Sequence, residues 1–235
     1  MDKRVNQQGI CWLKQACCLA VLLVTFSVVC WSLLRSSNRQ EEALREQERR
    51  GALVYMRVCS GCHSLNLVRW GQMAADLHLS PAQRSELMSG QSVDLNAPWS
   101  SAMSAESAQQ WFGVVPPDLS LAAQVYTTGW ISAYLNAFYP DPAQPSGWNN
   151  RLRGATAMPN VLWDFPLESS VIETKHPSVR LTRDRAIAQI TTFLAYAADP
   201  MAHRRRMLAP WVIGFFCLFT VIVWLLQREY WRDIV

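Results

Sequence analysis

The chain has 235 residues, half of them hydrophobic and 17% charged, with a formal net charge of +4. So modest a positive balance leaves no electrostatic footprint for nucleic acid, and no nucleic-acid partner is expected. Of the seven cysteines, Cys11, Cys17, Cys18, Cys30 and Cys217 fall in or beside apolar segments, where a thiol behaves as a small hydrophobe. Cys59 and Cys62 alone lie in the intervening region, which excludes a disulfide framework there once those two are engaged.

In chain order, residues 1–14 carry Lys3, Arg4 and Lys14 ahead of a first uncharged run, Gln15 to Leu34. Twenty residues span about 30 Å as a helix, the thickness of a bilayer's hydrocarbon core. With no convincing A-x-A cleavage site after it, the run reads as an uncleaved anchor rather than a removed signal. A polar helix is expected next, from a capping signal at Ser37 and Gln40, with i,i+4 pairs Glu41–Arg45 and Glu46–Arg50. Gly51 is expected to end or bend it.

Cys59-Ser60-Gly61-Cys62-His63 follows. Two cysteines three apart on a helical turn reach the same side, where they can take the two vinyl groups of one porphyrin. The adjacent imidazole then falls under the iron. A redox dithiol would need a preceding βαβ pattern, and structural zinc a second ligand pair; the sequence offers neither. One covalent haem c is therefore expected, with His63 as an axial ligand.

Further helices are expected over Ser80–Met88 and Ser104–Gly113, and as one or two segments within Leu119–Tyr139. Pro140 to Pro166, rich in Pro, Gly and Asn, reads as loop. A last helix runs over Thr182–Ala198, burying Ile187, Ile190, Phe193 and Leu194, and Asp199-Pro200 closes it. The Arg-rich His203–Met207 is expected against lipid headgroups or a partner subunit. The second uncharged run, Met207 to Leu226, has Trp211, Trp224, Tyr230 and Trp231 near its ends as an aromatic belt. The expected fold class is all-α: a haem domain with long loops between an N-terminal and a C-terminal transmembrane helix. The domains are 1–14 cytoplasmic, 15–34 transmembrane, 35–206 periplasmic haem c domain, 207–226 transmembrane and 227–235 a cytoplasmic tail. Haem attachment outside the cytoplasm sets this topology, against the positive-inside bias of the three arginines Arg204–Arg206.

The sixth iron ligand is open among Met56, Met73, Met88, Met103, Met158, His78 and His176. Met56 lies on the haem-binding helix itself, and Met73 and Met88 read as core filler. Met158 sits in "ATAMPN", where Pro159 stiffens the loop, and a thioether beside histidine favours reduced iron.

"VCSGCHSLNLVRW", "WFGVVPPDLSLAAQV", "YLNAFYPDPAQPSGWNN", "AMPNVLW" and the tail from "RRRM" to "REYWRDIV" together resemble the bacterial form of the cytochrome c1 family. That family supplies the haem c subunit of ubiquinol–cytochrome c oxidoreductase, respiratory complex III. The resemblance, over roughly Arg50 to Val235, implies thioether links at Cys59 and Cys62, axial His63 and Met158, and Pro116 and Pro117 packed along the haem. It implies electron transfer from a Rieske iron–sulfur protein to a cytochrome c, soluble or membrane-tethered. It further implies a cytochrome b partner, a dimeric complex and a bacterial inner-membrane location. No catalytic acid, base or nucleophile is expected in this chain. The alternative is a free-standing membrane-anchored cytochrome c feeding a terminal oxidase; P-P-D-L-S and G-W-N-N count against it, since a lone shuttle has no need of such partner-facing loops.

Family members carry an arginine after P-P-D-L-S that pairs with a haem propionate. Here Gln124 and Tyr126 stand at those positions, leaving Gln124 as a weaker neutral donor, or Arg151 or Arg153 as substitutes. Asp76, Glu86, Asp94, Glu106 and Asp118 are candidates for the carrier's docking patch, each equally readable as solvated surface.

Overall fold

The computed structural model describes residues 35, 38–88, 94–164 and 182–232, without the side chain of residue 86. The apolar run 15–34, the Ser37 capping signal and His176 lie outside them. The chain divides into two compact units, Met1–Arg45 and Glu46–Val235. Within the first, residues 38–45 are helical; within the second, helix α1 spans residues 46–58.

Gly51 does not end α1, which stays helical to residue 58. A Cβ at position 51 would stand 2.1 Å from the Gln189 carbonyl oxygen and 2.6 Å from the Phe193 Cβ. Glycine is there so that α1 can lie backbone-close against α7 (Arg183–Ala198). Just beyond it, Ala52, Leu53, Val54 and Tyr55 are buried. The Glu46–Arg50 pair forms, Nε to Oε1 2.8 Å.

The chain next forms β1 (Leu65–Arg69), which pairs antiparallel with β2 (Pro98–Trp99). Its inward residues Leu65 and Val68 bury, and Trp99 enters the core. There Trp99 stacks on Trp70 at 4.5 Å and meets the Tyr55 edge at 5.3 Å. Aromatic pairs of this geometry add stability beyond their buried area.

Between these strands come α2 (Trp70–Asp76) and α3 (Pro81–Leu87). A reciprocal capping box opens α3: Gln83 N–H donates to Ser80 Oγ at 3.2 Å, and Ser80 N–H to Gln83 Oε1 at 2.9 Å. Ser104 caps α4 (Ala105–Phe112), and Gly113 closes it at φ +69°. The stretch after P-P-D-L-S divides into α5 (Ala122–Val125) and α6 (Thr127–Asn136), broken where Thr127 takes φ +62°.

Pro140–Pro166 is not wholly loop. β3 (Phe138–Pro140) and β4 (Trp148–Asn150) form a hairpin with Phe138 opposite Asn150. Gly147 makes its turn at φ +72°. Asn150, 1% exposed, donates to the Tyr134 carbonyl at 2.8 Å and ties the hairpin to α6.

As expected, α7 begins at the Thr182 cap and buries Ile187, Ile190, Phe193 and Leu194. The final helix α8 (Ala202–Arg232) starts earlier than the apolar run alone suggests. Its span Ala202–Trp231 is long and apolar enough to cross a membrane and is unburied throughout its most apolar window. His203 does not face headgroups: it is 6% exposed, 2.7 Å from Glu48 of α1. Arg204, Arg205 and Arg206 stay exposed, with Arg205 bidentate to Asp199. The described chain is predominantly helical, with two short antiparallel ladders added.

Candidate functional site

The C-x-x-C-H turn is the continuation of α1. Cys59 N–H donates to Tyr55 O at 2.8 Å; Cys62 and His63 N–H both donate to Cys59 O, at 3.1 and 2.9 Å. This winds Cys59, Cys62 and His63 through one further turn. Cys59 is buried and Cys62 half-buried, and neither is in a disulfide. From beneath, the buried Tyr55 hydroxyl donates to the His63 carbonyl at 3.0 Å. A Cβ at Gly61 would meet no protein atom within 4 Å, so packing within the chain does not demand glycine there.

P-P-D-L-S is laced onto this turn. The His63 ring nitrogen Nδ1 lies 2.8 Å from the Pro117 carbonyl oxygen. A carbonyl only accepts, so Nδ1 carries the proton and the Nε2 lone pair is left available to a metal. Burial holds the imidazole below its ordinary range, while the Pro117 bond and the Asp118 charge pull the other way. Asp118 binds the far side of the turn: Ser64 Oγ and Asn66 N–H donate to its Oδ2 at 2.9 and 2.8 Å, and Ser120 N–H donates to Oδ1 at 2.8 Å. Leu119 N–H adds a bond to Ser64 O at 2.9 Å, and Leu67 N–H one to Ser120 Oγ at 3.1 Å. Burial raises the Asp118 carboxyl, but these donors outweigh it and hold it below the usual carboxylate range. The structure thus brings Cys59, Cys62, His63 and Pro117 into one assembly.

Met158 belongs to a second one. It is half-buried against the core, and its sulfur lies 3.9 Å from the Tyr134 hydroxyl of α6. That hydroxyl is also 3.0 Å from Thr156 Oγ1. Tyr126, Trp130 and Tyr134 stack in series along this side, with centroids 4.6 and 5.2 Å apart.

Gln124 donates its Nε2 proton to the Ala198 carbonyl at 2.6 Å, tying α5 to the end of α7. Arg151 lies over the Tyr139 ring at 5.7 Å, and Arg153 is exposed. Of the docking candidates, Asp118 serves its own loop, Asp76 accepts from Tyr196 at 3.0 Å, and Asp94 caps Asn96 at 2.9 Å. Asn149 and Asn150, buried within the hairpin, serve it rather than presenting themselves to a partner.

Tyr55, Ser120 and Tyr134 are site residues that sequence reasoning passes over. The short polar run S-L-N facing D-L-S is the signal for Ser120. Tyr55 and Tyr134 carry none, since tyrosine in an apolar helix face reads as filler.

A model of the Cytochrome C1 family matches residues 37–97 and 88–234. Cytochrome c1 of Allochromatium vinosum is 32% identical over 91% of this chain and 98% of its own length. The ammonia monooxygenase gamma subunit of Nitrosomonas europaea is 35% identical over 83% of this chain and 86% of its own. A mitochondrial cytochrome c1 heme protein of Arabidopsis thaliana is 30% identical over 78% of this chain and 64% of its own.

Proposed function

The chain belongs to the cytochrome c1 family, and from that premise we propose that it takes single electrons from a Rieske iron–sulfur protein and passes them to a cytochrome c. Family membership makes it a haem-carrying electron-transfer cytochrome with a single covalent haem c, consistent with complex III. Bound, that haem supplies a one-electron iron couple between ferrous and ferric states.

The residues present fit it. Cys59 and Cys62 would hold the porphyrin through thioethers, and His63 would offer Nε2 while Pro117 fixes its tautomer. Met158 would offer a thioether to the iron, and Pro116 and Pro117 would pack along the ring. The observation that carries this assignment is the 2.8 Å contact between His63 Nδ1 and Pro117 O. A carbonyl behind a ligating imidazole is the usual way a protein sets ring orientation and donor strength. We place 35–206 on the periplasmic side, with 15–34 and 207–226 in the inner membrane and both termini cytoplasmic. Cytochrome b and Rieske subunits are then the neighbours, in a dimeric complex. Docking of the carrier is weak and charge-steered, because turnover needs release.

Mild-detergent purification tests this, followed by reduced-minus-oxidised spectra and a quinol-driven cytochrome c reduction assay. Copurifying b-type haem and iron–sulfur protein, with turnover blocked by quinol-site inhibitors, is the expected result. A c-type haem alone, without turnover, points to the free-standing carrier. Met158→Ala should convert a low-spin haem to high-spin; an unchanged spectrum removes Met158 from the iron.

A further inference from the structure

We propose that Tyr134 is a positioning residue that donates its hydroxyl proton to the Met158 sulfur, and so sets the electron affinity of the centre. The inference rests on Met158 as an axial ligand, and it is carried by hydrogen-bond accounting around one oxygen.

The Tyr134 hydroxyl has a single proton and two neighbours, Thr156 Oγ1 at 3.0 Å and Met158 Sδ at 3.9 Å. A thioether sulfur can only accept. The Thr156 hydroxyl can donate to the Tyr134 oxygen, which leaves the tyrosine proton for sulfur. Thr156 to Tyr134 to Met158 is then a directed chain, each bond polarising the next.

The ring has little freedom to do otherwise. Tyr134 stacks on Trp130 at 5.2 Å with planes 12° apart, and Phe138 meets its edge at 5.2 Å. Its backbone carbonyl is held by buried Asn150. These contacts involve the ring and main chain, so the hydroxyl is free to be assigned a separate role.

Hydrogen-bond donation withdraws lone-pair density from sulfur. A poorer thioether donor stabilises ferric iron less than a richer one does, so the bond favours the reduced state. Sequence position 134 thus becomes a tuning position on the Met158 side, independent of whichever group meets the propionates.

The test uses the full-length protein purified in mild detergent. Tyr134→Phe keeps the ring stack and removes the proton. The ferric thioether-to-iron charge-transfer band should persist but shift. In equilibrium titration, the reduced-to-oxidised ratio at a fixed ambient potential should fall about two- to fivefold, the scale of one weak hydrogen bond. Thr156→Val should move the ratio the same way by less. Unchanged ratio and band in Tyr134→Phe overturn the inference, provided Met158→Ala abolishes the band. If Met158→Ala leaves the band and spin state untouched, the axial assignment itself falls, and the two failures are thereby told apart.

Discussion

At the level of single residues, the site is built by groups that never need to touch the iron. Asp118 is the clearest case. It accepts from Ser64, Asn66 and Ser120, and through them holds P-P-D-L-S against the residues that follow His63. Because its folded-state pKa is lowered, the carboxylate contributes stability that is present above its ordinary value, near 3.8, and is lost as pH falls through the lower folded value. Asp118→Asn should cost about 1–2 kcal/mol at pH 7, the worth of bonds to a charged acceptor discounted for its exposure. The gap between wild type and variant should narrow as pH drops below about 4. Denaturant unfolding at pH 7 and pH 3 measures this; an offset that does not change with pH would show that the charge plays no part. Asp118 had been readable as docking surface, because an acidic side chain in a loop carries no mark of what it faces.

For whole elements, one close approach governs the core. Gly51 lets α1 lie on α7 near Gln189 and Phe193, and the same crossing places Tyr55 beneath His63. Alanine at position 51 would gain about 1 kcal/mol of helix propensity. It would also press a methyl group to 2.1 Å from a main-chain carbonyl, which cannot swing aside as a side chain could. Overpacking of this kind costs about 1–3 kcal/mol and here moves two helices, so the clash should win. Gly51→Ala should destabilise by about 2 kcal/mol in thermal unfolding of the holoprotein, and a stabilised variant would show that α1 and α7 do not sit this close. In sequence, a glycine after a polar helix is ambiguous between a stop and a crossing. The helix ends marked by local chemistry were legible: Ser80 with Gln83, Ser104 with Gly113, and Thr182 with Asp199.

Across the whole molecule, the apolar α8 is joined to the haem-bearing helix through buried polar groups. Glu48 and His203 lie 2.7 Å apart at 4% and 6% exposure, and the Tyr196 ring packs against His203 at 6.1 Å. Losing a buried hydrogen bond of this kind costs about 1–3 kcal/mol. Glu48→Ala should therefore loosen the start of α8 from α1 and expose the Asp199–Ala202 junction to limited proteolysis. Cleavage there no faster than in wild type would mean that the pair does not hold the two helices together.

The sequence by itself determined the chemistry and the periodic parts. C-x-x-C-H, a charge-free run of bilayer length and an amphipathic α7 are local patterns whose meaning does not depend on distant residues. Tertiary structure alone decided that Pro117 meets His63, that Asp118 faces Ser64 and Asn66, that Tyr134 meets Met158, and that His203 is buried against Glu48. Each joins positions far apart in the chain, or depends on which face a loop presents. Hydrogen-bond complementarity between such partners becomes visible only when folding has brought donor and acceptor within about 3 Å of each other, or about 4 Å where the acceptor is sulfur.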